Sequence, residues 1–217
     1  MKKKAIICAR LAICALLFLT EPQVDALPQN PDQQSCPDTI DTTGRHVNIS
    51  YGFSIVIPKG LKGVWNSARC VSGGDGCVCM SDHGRIIPLA TGPNDVDHWI
   101  EAYAGFATNI DAPMLEDAVN SRLGWIRERS RDGSVSVLQR SHVTLGGLKG
   151  ERVVVRYYDK ESKRVMVEDF VEALRGRRDV DVEYSVHLRT PIDTYEREKA
   201  IFNTVLRGFV LSECGNC

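Results

Sequence analysis

Hydrophobic and polar positions alternate through much of the second half of the chain, and this alternation predicts β-strands. Four strand-like segments follow one another without an intervening helix, at residues 134–145, 151–158, 164–174 and 180–188. The connections between them are short enough for hairpins and too short for the crossovers that parallel strands need. The sequence therefore predicts a mainly antiparallel sheet.

Shorter strands are predicted in the first half of the chain. Residues 53–57 form an apolar run that stops at Pro58, because proline cannot donate a hydrogen bond to a sheet. Residues 85–90 and 98–104 give two further strands. Residues 61–83 lie between the strands predicted at 53–57 and 85–90. They are rich in glycine and cysteine, so we predict a long loop there.

Two amphipathic segments predict helices. The first begins near Asp111 and Pro113 and ends among arginines, which is the charge order that complements the helix dipole. Its apolar residues recur at helical spacing and are Leu115, Val119, Leu123 and Ile126. The second helix is predicted to begin at a Thr190 cap and to end at Gly208.

The order of these elements resembles that of a known family. The features that carry the resemblance are the strand Phe53-Ser54-Ile55-Val56-Ile57-Pro58, a helix, a four-strand meander, and a closing helix with Tyr195, Phe202, Val205-Leu206 and Gly208-Phe209. Over about residues 50–211 the chain is similar to the PsbP-like family of lumenal photosystem-associated proteins and their periplasmic bacterial relatives. The resemblance implies an α+β fold, in which two helices flank an antiparallel sheet in an α/β/α sandwich. It also implies a mainly non-enzymatic binding, assembly or accessory role.

The N-terminus has the pattern of a secretory signal peptide. Lys2-Lys3-Lys4 precede an apolar run at residues 11–19, and Val24-Asp25-Ala26 forms a cleavage site. We predict a signal peptide at residues 1–26, an extended leader at 27–46 and a single α+β domain at 47–217. The mature protein is expected to be secreted or periplasmic.

Charge and hydropathy exclude some classes of partner. The formal net charge is −1, which gives no electrostatic reason to expect nucleic acid or an anionic membrane surface as a partner. A membrane-spanning helix needs about 20 apolar residues, and no such run follows the predicted signal peptide. We expect a protein partner, no membrane span in the mature chain, and no cofactor.

Cysteines gain importance if the chain is exported. Of eight cysteines, two lie in the predicted signal peptide and six remain in the mature chain. These six are Cys36, Cys70, Cys77, Cys79, Cys214 and Cys217. Disulfides persist in oxidising compartments, so we predict a disulfide-stabilised domain whose connectivity the sequence leaves open.

A zinc site is the alternative use of the central cysteines. Cys70, Cys77, Cys79 and His83 make up a Cys3His set, which suits tetrahedral zinc. The single residue between Cys77 and Cys79 departs from the usual spacing of zinc ligands, and export favours disulfides over thiolates. We therefore prefer disulfides and keep zinc as the alternative.

Acidic residues line one side of a predicted strand. Asp179, Asp181 and Glu183 alternate with apolar residues, and His187 continues the polar side. A cation site or an acid/base pair is one use of such a face. We favour a solvated face whose carboxylates meet arginines such as Arg152 and Arg156 on neighbouring strands.

These observations favour a non-catalytic binding or accessory protein of the cell envelope. We expect recognition through the cysteine-rich loop, because loops on a rigid scaffold are where binding residues concentrate. The partner-binding candidates are Trp65, Asp75, Asp82 and His83. The alternatives are an envelope immunity or inhibitor protein, and a zinc- or thiol-dependent enzyme that uses the Cys70, Cys77, Cys79 and His83 cluster.

Overall fold

The structure is a computed structural model that describes residues 40–48, 51–67, 70–73, 76–79, 81–88, 98–107, 114–176 and 181–212. For residues 40–42, 66–67, 70–73, 76–79 and 81–83 it describes the backbone alone. All described residues belong to one compact unit, residues 34–217. The predicted signal peptide lies outside the described residues, and the predicted domain boundaries stay a prediction.

Thirteen strands and two helices make up the described part of the chain. The strands are β1 (Ile40–Thr42), β2 (Arg45–Asn48), β3 (Phe53–Val56), β4 (Leu61–Ser67), β5 (Cys70–Gly73), β6 (Gly76–Cys79), β7 (Ser81–Pro88), β8 (Trp99–Phe106), β9 (Ser136–Leu145), β10 (Leu148–Tyr158), β11 (Val165–Arg175), β12 (Val182–Pro191) and β13 (Val210–Leu211). The helices are α1 (Leu115–Arg129) and α2 (Tyr195–Arg207).

The strands form one large sheet and two small ones. The large sheet has eight strands in the order β1-β4-β7-β8-β12-β11-β10-β9, and every neighbouring pair in it is antiparallel. Strands β13, β3 and β2 form a second sheet, and β5 pairs with β6 in a third. The predicted antiparallel α+β architecture is therefore confirmed.

The two helices pack on opposite faces of the large sheet. Helix α1 packs on Val153 and Phe170, which are register partners in β10 and β11. Helix α2 packs in the other cluster, which contains Val171 and its register partner Val186. Adjacent residues of a strand point to opposite faces, so Phe170 and Val171 place α1 and α2 on different sides.

Helix α1 has the polarity that the sequence predicts. Glu116 and Asp117 lie in its first turn, and Arg127 and Arg129 lie in its last. The Asp117 carboxylate accepts a hydrogen bond from the backbone N–H of Met114, at 3.3 Å. This bond satisfies one of the backbone donors that a helix start leaves unpaired.

Helix α2 begins later than the sequence predicts. Strand β12 continues through Pro191, so Thr190 is a buried strand residue and the helix cap is Thr194. The two threonine hydroxyls share a hydrogen bond of 2.7 Å. The helix ends at Gly208, as predicted.

The segment predicted as a loop at 61–83 is a β-hairpin in the structure. Strands β4 and β7 pair from Leu61 opposite Pro88 to Ser67 opposite Asp82. Beyond that point β5 and β6 form a separate two-stranded sheet, which we call the hairpin tip (residues 70–73 and 76–79). The base of the hairpin is therefore part of the large sheet.

Trp65 is a core residue, and its prediction as a partner-binding residue is wrong. Its side chain is 1% exposed, and its ring stacks on the His46 ring with centroids 3.7 Å apart. Its register partner is Gly84, where a Cβ atom would overlap the indole. The glycine leaves the space that the tryptophan fills, so the hairpin base is anchored in the core.

We predict that Gly84→Ala lowers the free energy of unfolding by about 1–3 kcal/mol, because the added methyl group overpacks the site of Trp65. Gly124→Ala is the matched control: nothing lies within 4 Å of a Cβ built at this position in α1. Alanine favours a helix over glycine, so the control should gain roughly 0.5–1 kcal/mol. Urea unfolding curves measure both changes. Wild-type stability of Gly84→Ala would contradict the buried packing of Trp65.

Candidate functional site

Polar and charged side chains occupy the α1 side of the large sheet where β8, β12 and β11 meet. We call this set the polar cluster. Its members are Trp99, Glu101, Tyr103, Arg122, Glu168, Glu172, Ser185, His187 and Arg189. Arg122 belongs to α1 and the others to the three strands, so the cluster joins the helix to the sheet.

Strand register brings these residues together in rows. His187 lies opposite Glu101 of β8, and Arg189 lies opposite Trp99. On the other side of β12, Ser185 lies opposite Glu172 of β11. Directly opposite residues have their Cβ atoms about 4.5–5.5 Å apart, so the contacts follow from the antiparallel pairing.

His187 lies between two carboxylates. Its Nε2 atom is 3.4 Å from Glu101 Oε1, and its Nδ1 atom is 4.0 Å from Glu168 Oε2. The ring is buried, and neither nitrogen makes a hydrogen bond of good geometry to a described residue. Burial acts to raise the pKa of Glu101, but the charges of His187, Arg122 and Arg85 outweigh it and hold that pKa well below its ordinary value.

Glu172 is the most deeply buried carboxyl group of the cluster. Its Oε1 atom accepts hydrogen bonds from Ser185 Oγ at 2.9 Å and Arg122 Nε at 3.4 Å, while Oε2 has no partner among the described residues. Burial raises the pKa of Glu172 to about 8, although the positive charge of Arg122 acts to lower it. Glu172 is therefore mainly protonated at neutral pH.

Arg189 connects the cluster to the turn after β10. Its guanidinium lies 3.1 Å from Asp159 Oδ1 and donates a 3.2 Å hydrogen bond to the Tyr157 hydroxyl. Tyr157 in turn donates to Glu168 at 2.7 Å. The same guanidinium lies 4.7 Å from the centre of the Trp99 ring, which gives a cation–π contact. These contacts hold the turn against the sheet.

The polar cluster corrects the prediction of a solvated acidic face on β12. His187 is buried and Glu183 is half-buried, on the side that α1 partly covers, and Asp179 lies outside the described residues. Arg152 lies on the opposite face, where it donates two hydrogen bonds to Asp169 at 2.7 and 2.6 Å. The prediction was wrong because the sequence cannot show that both faces of β12 are covered.

The chemistry of the polar cluster is mainly structural. Its contacts link α1 to the sheet through Arg122 and Glu172, and link the turn after β10 to the sheet through Arg189 and Asp159. Among the residues whose side chains are described, no group of three or more His, Cys, Asp or Glu is arranged to hold a metal ion. Sequence reasoning missed Glu101, Arg122, Glu168 and Glu172. The available signal was the presence of glutamates in otherwise apolar strands.

The predicted binding residues lie elsewhere in the chain. Cys36, Asp75, Cys214 and Cys217 lie outside the described residues. The backbone places Cys70, Cys77 and Cys79 in the hairpin tip, and Asp82 and His83 at the start of β7. Cys70 is the register partner of Cys79. The disulfide prediction and the zinc alternative rest on side chains that are not described, and both stay predictions.

Exposed apolar side chains lie at the β9 edge of the large sheet, the edge opposite to β1. Strand β9 is an edge strand, and Val137 and Leu138 on it are 52% and 53% exposed. The pairing of β9 with β10 shifts register at Leu138, which is a β-bulge. Bulges at sheet edges hinder pairing with another chain. Trp125 on α1 is exposed too and lies beside Arg122.

Comparisons with known proteins give a weak likeness of fold. No family model and no curated protein matches the chain. Among solved structures, it is similar to cyanobacterial PsbP from Synechocystis, with 15% identity, a TM-score of 0.47, and coverage of 85% of this chain and 99% of that one. It is also similar to LpqN of Mycobacterium tuberculosis, which is involved in cell envelope biogenesis, at 11% identity, a TM-score of 0.47, and 81% and 92% coverage.

A third similar structure is the yeast Ran-binding protein Mog1p, with 11% identity, a TM-score of 0.45, and coverage of 78% of this chain and 95% of that one. The predicted weak resemblance to the PsbP fold is confirmed. At these identities the likeness concerns the fold alone. In the part of the chain that the structure describes, neither helix is long and apolar enough to cross a membrane.

We predict that Glu172→Gln changes the pH dependence of stability. Between the ordinary pKa of 4.5 and the folded value of about 8, the folded protein holds a proton that the unfolded chain releases. This contribution is complete below about pH 4.5 and is lost as the pH rises through 8. The wild type should therefore lose up to about 1.4 kcal/mol per pH unit relative to the variant across this range.

Chemical unfolding at a series of pH values measures this slope. Glu196→Gln is the matched control, because the Glu196 side chain on α2 is 83% exposed and the same amide replacement there should leave the slope unchanged. Parallel curves for the wild type and Glu172→Gln would contradict the raised pKa of Glu172.

Proposed function

We propose that this protein is an exported, non-catalytic binding protein of the cell envelope, periplasmic or secreted, which recognises a protein partner through its hairpin tip. The observation that carries the proposal is the separation of the tip from the rest of the fold. Strands β5 and β6 pair with each other and with no other described strand, whereas β4 and β7 are both paired into the large sheet. Export is supported by the signal-peptide pattern of residues 1–26.

A rigid base supports recognition by the tip. Trp65 is buried against Gly84 and His46, and β4 pairs with β7 over seven register positions. A partner that docks on the tip therefore meets strands whose base is already ordered, which reduces the entropy lost on binding. The polar cluster is the less suitable surface, since most of its members are buried.

The composition of the tip indicates the kind of contact. The hairpin tip and the residues next to it, 68–81 in all, contain one arginine and one aspartate, and the remainder are small, apolar or cysteine residues. Recognition by such a segment depends mainly on apolar contact and shape. We therefore expect partner affinity to change little with ionic strength, in contrast to the steep loss that salt causes where charges dominate.

The test replaces residues 68–81 with Asn-Gly. Ser67 and Asp82 are register partners, so a two-residue turn closes the hairpin between them without changing the pairing of β4 and β7. The variant should fold and unfold cooperatively like the wild type but should lose partner binding. Binding is measured first by quantitative co-purification from the envelope of the exporting cell and then with the purified partner.

Two surface variants serve as matched controls. Trp125→Ser and Leu138→Ser remove exposed apolar groups outside the hairpin and should leave partner binding within about threefold of the wild type. Unchanged binding by the Asn-Gly variant would refute the proposal. Loss of binding in either control, with binding kept by the Asn-Gly variant, would assign the interface to α1 and β9 instead.

A further inference from the structure

We propose that Cys70 and Cys79 form a cross-strand disulfide in the hairpin tip, and that Cys77 pairs with neither of them. The proposal rests on the juxtaposition that strand register creates: Cys70 is directly opposite Cys79, and Cys77 is opposite Ser72. It also rests on the export that is part of the proposed function, because disulfides persist outside the reducing cytosol.

Backbone distances favour this pairing over the other two. Directly opposite residues of antiparallel strands have Cα atoms about 4.5–5.5 Å apart, which lies within the range of about 4.4–6.8 Å that disulfides adopt. Cys70 and Cys77 are diagonal neighbours, with a typical separation of about 7–8 Å. Cys77 and Cys79 are two residues apart on one extended strand, at roughly 6.6–6.8 Å, the upper limit for a disulfide.

The bond forms by thiol–disulfide exchange. The Cys70 and Cys79 thiols together lose two protons and two electrons, and the electrons and protons pass to an acceptor disulfide, which leaves as two thiols. In the cell the acceptor is a disulfide-bonded oxidoreductase, and in the test it is oxidised glutathione. Cys77 is then left to pair with Cys36, Cys214 or Cys217, or to remain a thiol, and these three cysteines lie outside the described residues.

The test uses the purified mature chain in a glutathione redox buffer, so it needs no partner and does not depend on the hairpin tip being the binding surface. In one variant Cys70 and Cys79 are the only cysteines, and in the matched control only Cys70 and Cys77 remain. The equilibrium constant for disulfide formation should be at least about tenfold larger in the first variant. Both variants keep Cys70, so the comparison isolates the effect of the second cysteine's register position on disulfide formation.

Peptide mapping of the fully oxidised six-cysteine chain gives the second measurement. Cleavage before Asp75 separates Cys70 from Cys77 and Cys79, and fragmentation on either side of Val78 identifies which of the two carries the link. A link from Cys70 to Cys79 supports the proposal. A link from Cys70 to Cys77 or to a distant cysteine, or free thiols with stoichiometric zinc, would overturn it. If the wild type carries this link and the Asn-Gly variant still binds the partner, the result counts against the proposed function alone.

Discussion

The two-residue period of the central strands is the constraint on which the structure depends. Strands β11 and β12 lie in the middle of the eight-stranded sheet, where α1 packs on one face and α2 on the other. On β12, Tyr184 and Val186 point to the α2 side and join the apolar core, while Ser185 and His187 point to the α1 side. A shift of one residue in register would exchange these faces and bury charge against the apolar core.

Burying charge on the α1 side costs free energy unless each group finds a partner. The two arginines of the polar cluster meet this requirement through contacts between elements: Arg122 of α1 reaches Glu172, and Arg189 of β12 reaches Asp159 after β10. Glu172 meets it in part by taking up a proton. Because a polar group fits only where its partner lies, such contacts are well suited to define how the helix and the turn sit on the sheet.

The base and the tip of the hairpin at residues 61–88 differ in how they relate to the large sheet. Its base belongs to the core through Trp65 and Gly84, and its tip pairs only within itself among the described strands. A cross-strand link between register partners would order the tip without attaching it to the core.

The sequence by itself determined the antiparallel sheet, the positions of most strands and the polarity of α1, because these depend on local periodicity, short connections and end charges. It did not determine the hairpin at 61–88, since glycines and cysteines weaken the alternation that marks a strand. Nor did it show that Trp65 is buried or that Glu101, Arg122, Glu168 and Glu172 meet. Those outcomes depend on which strands become neighbours in the folded sheet. Strand pairing brings together residues that lie far apart in the sequence, and local sequence patterns do not reveal that pairing.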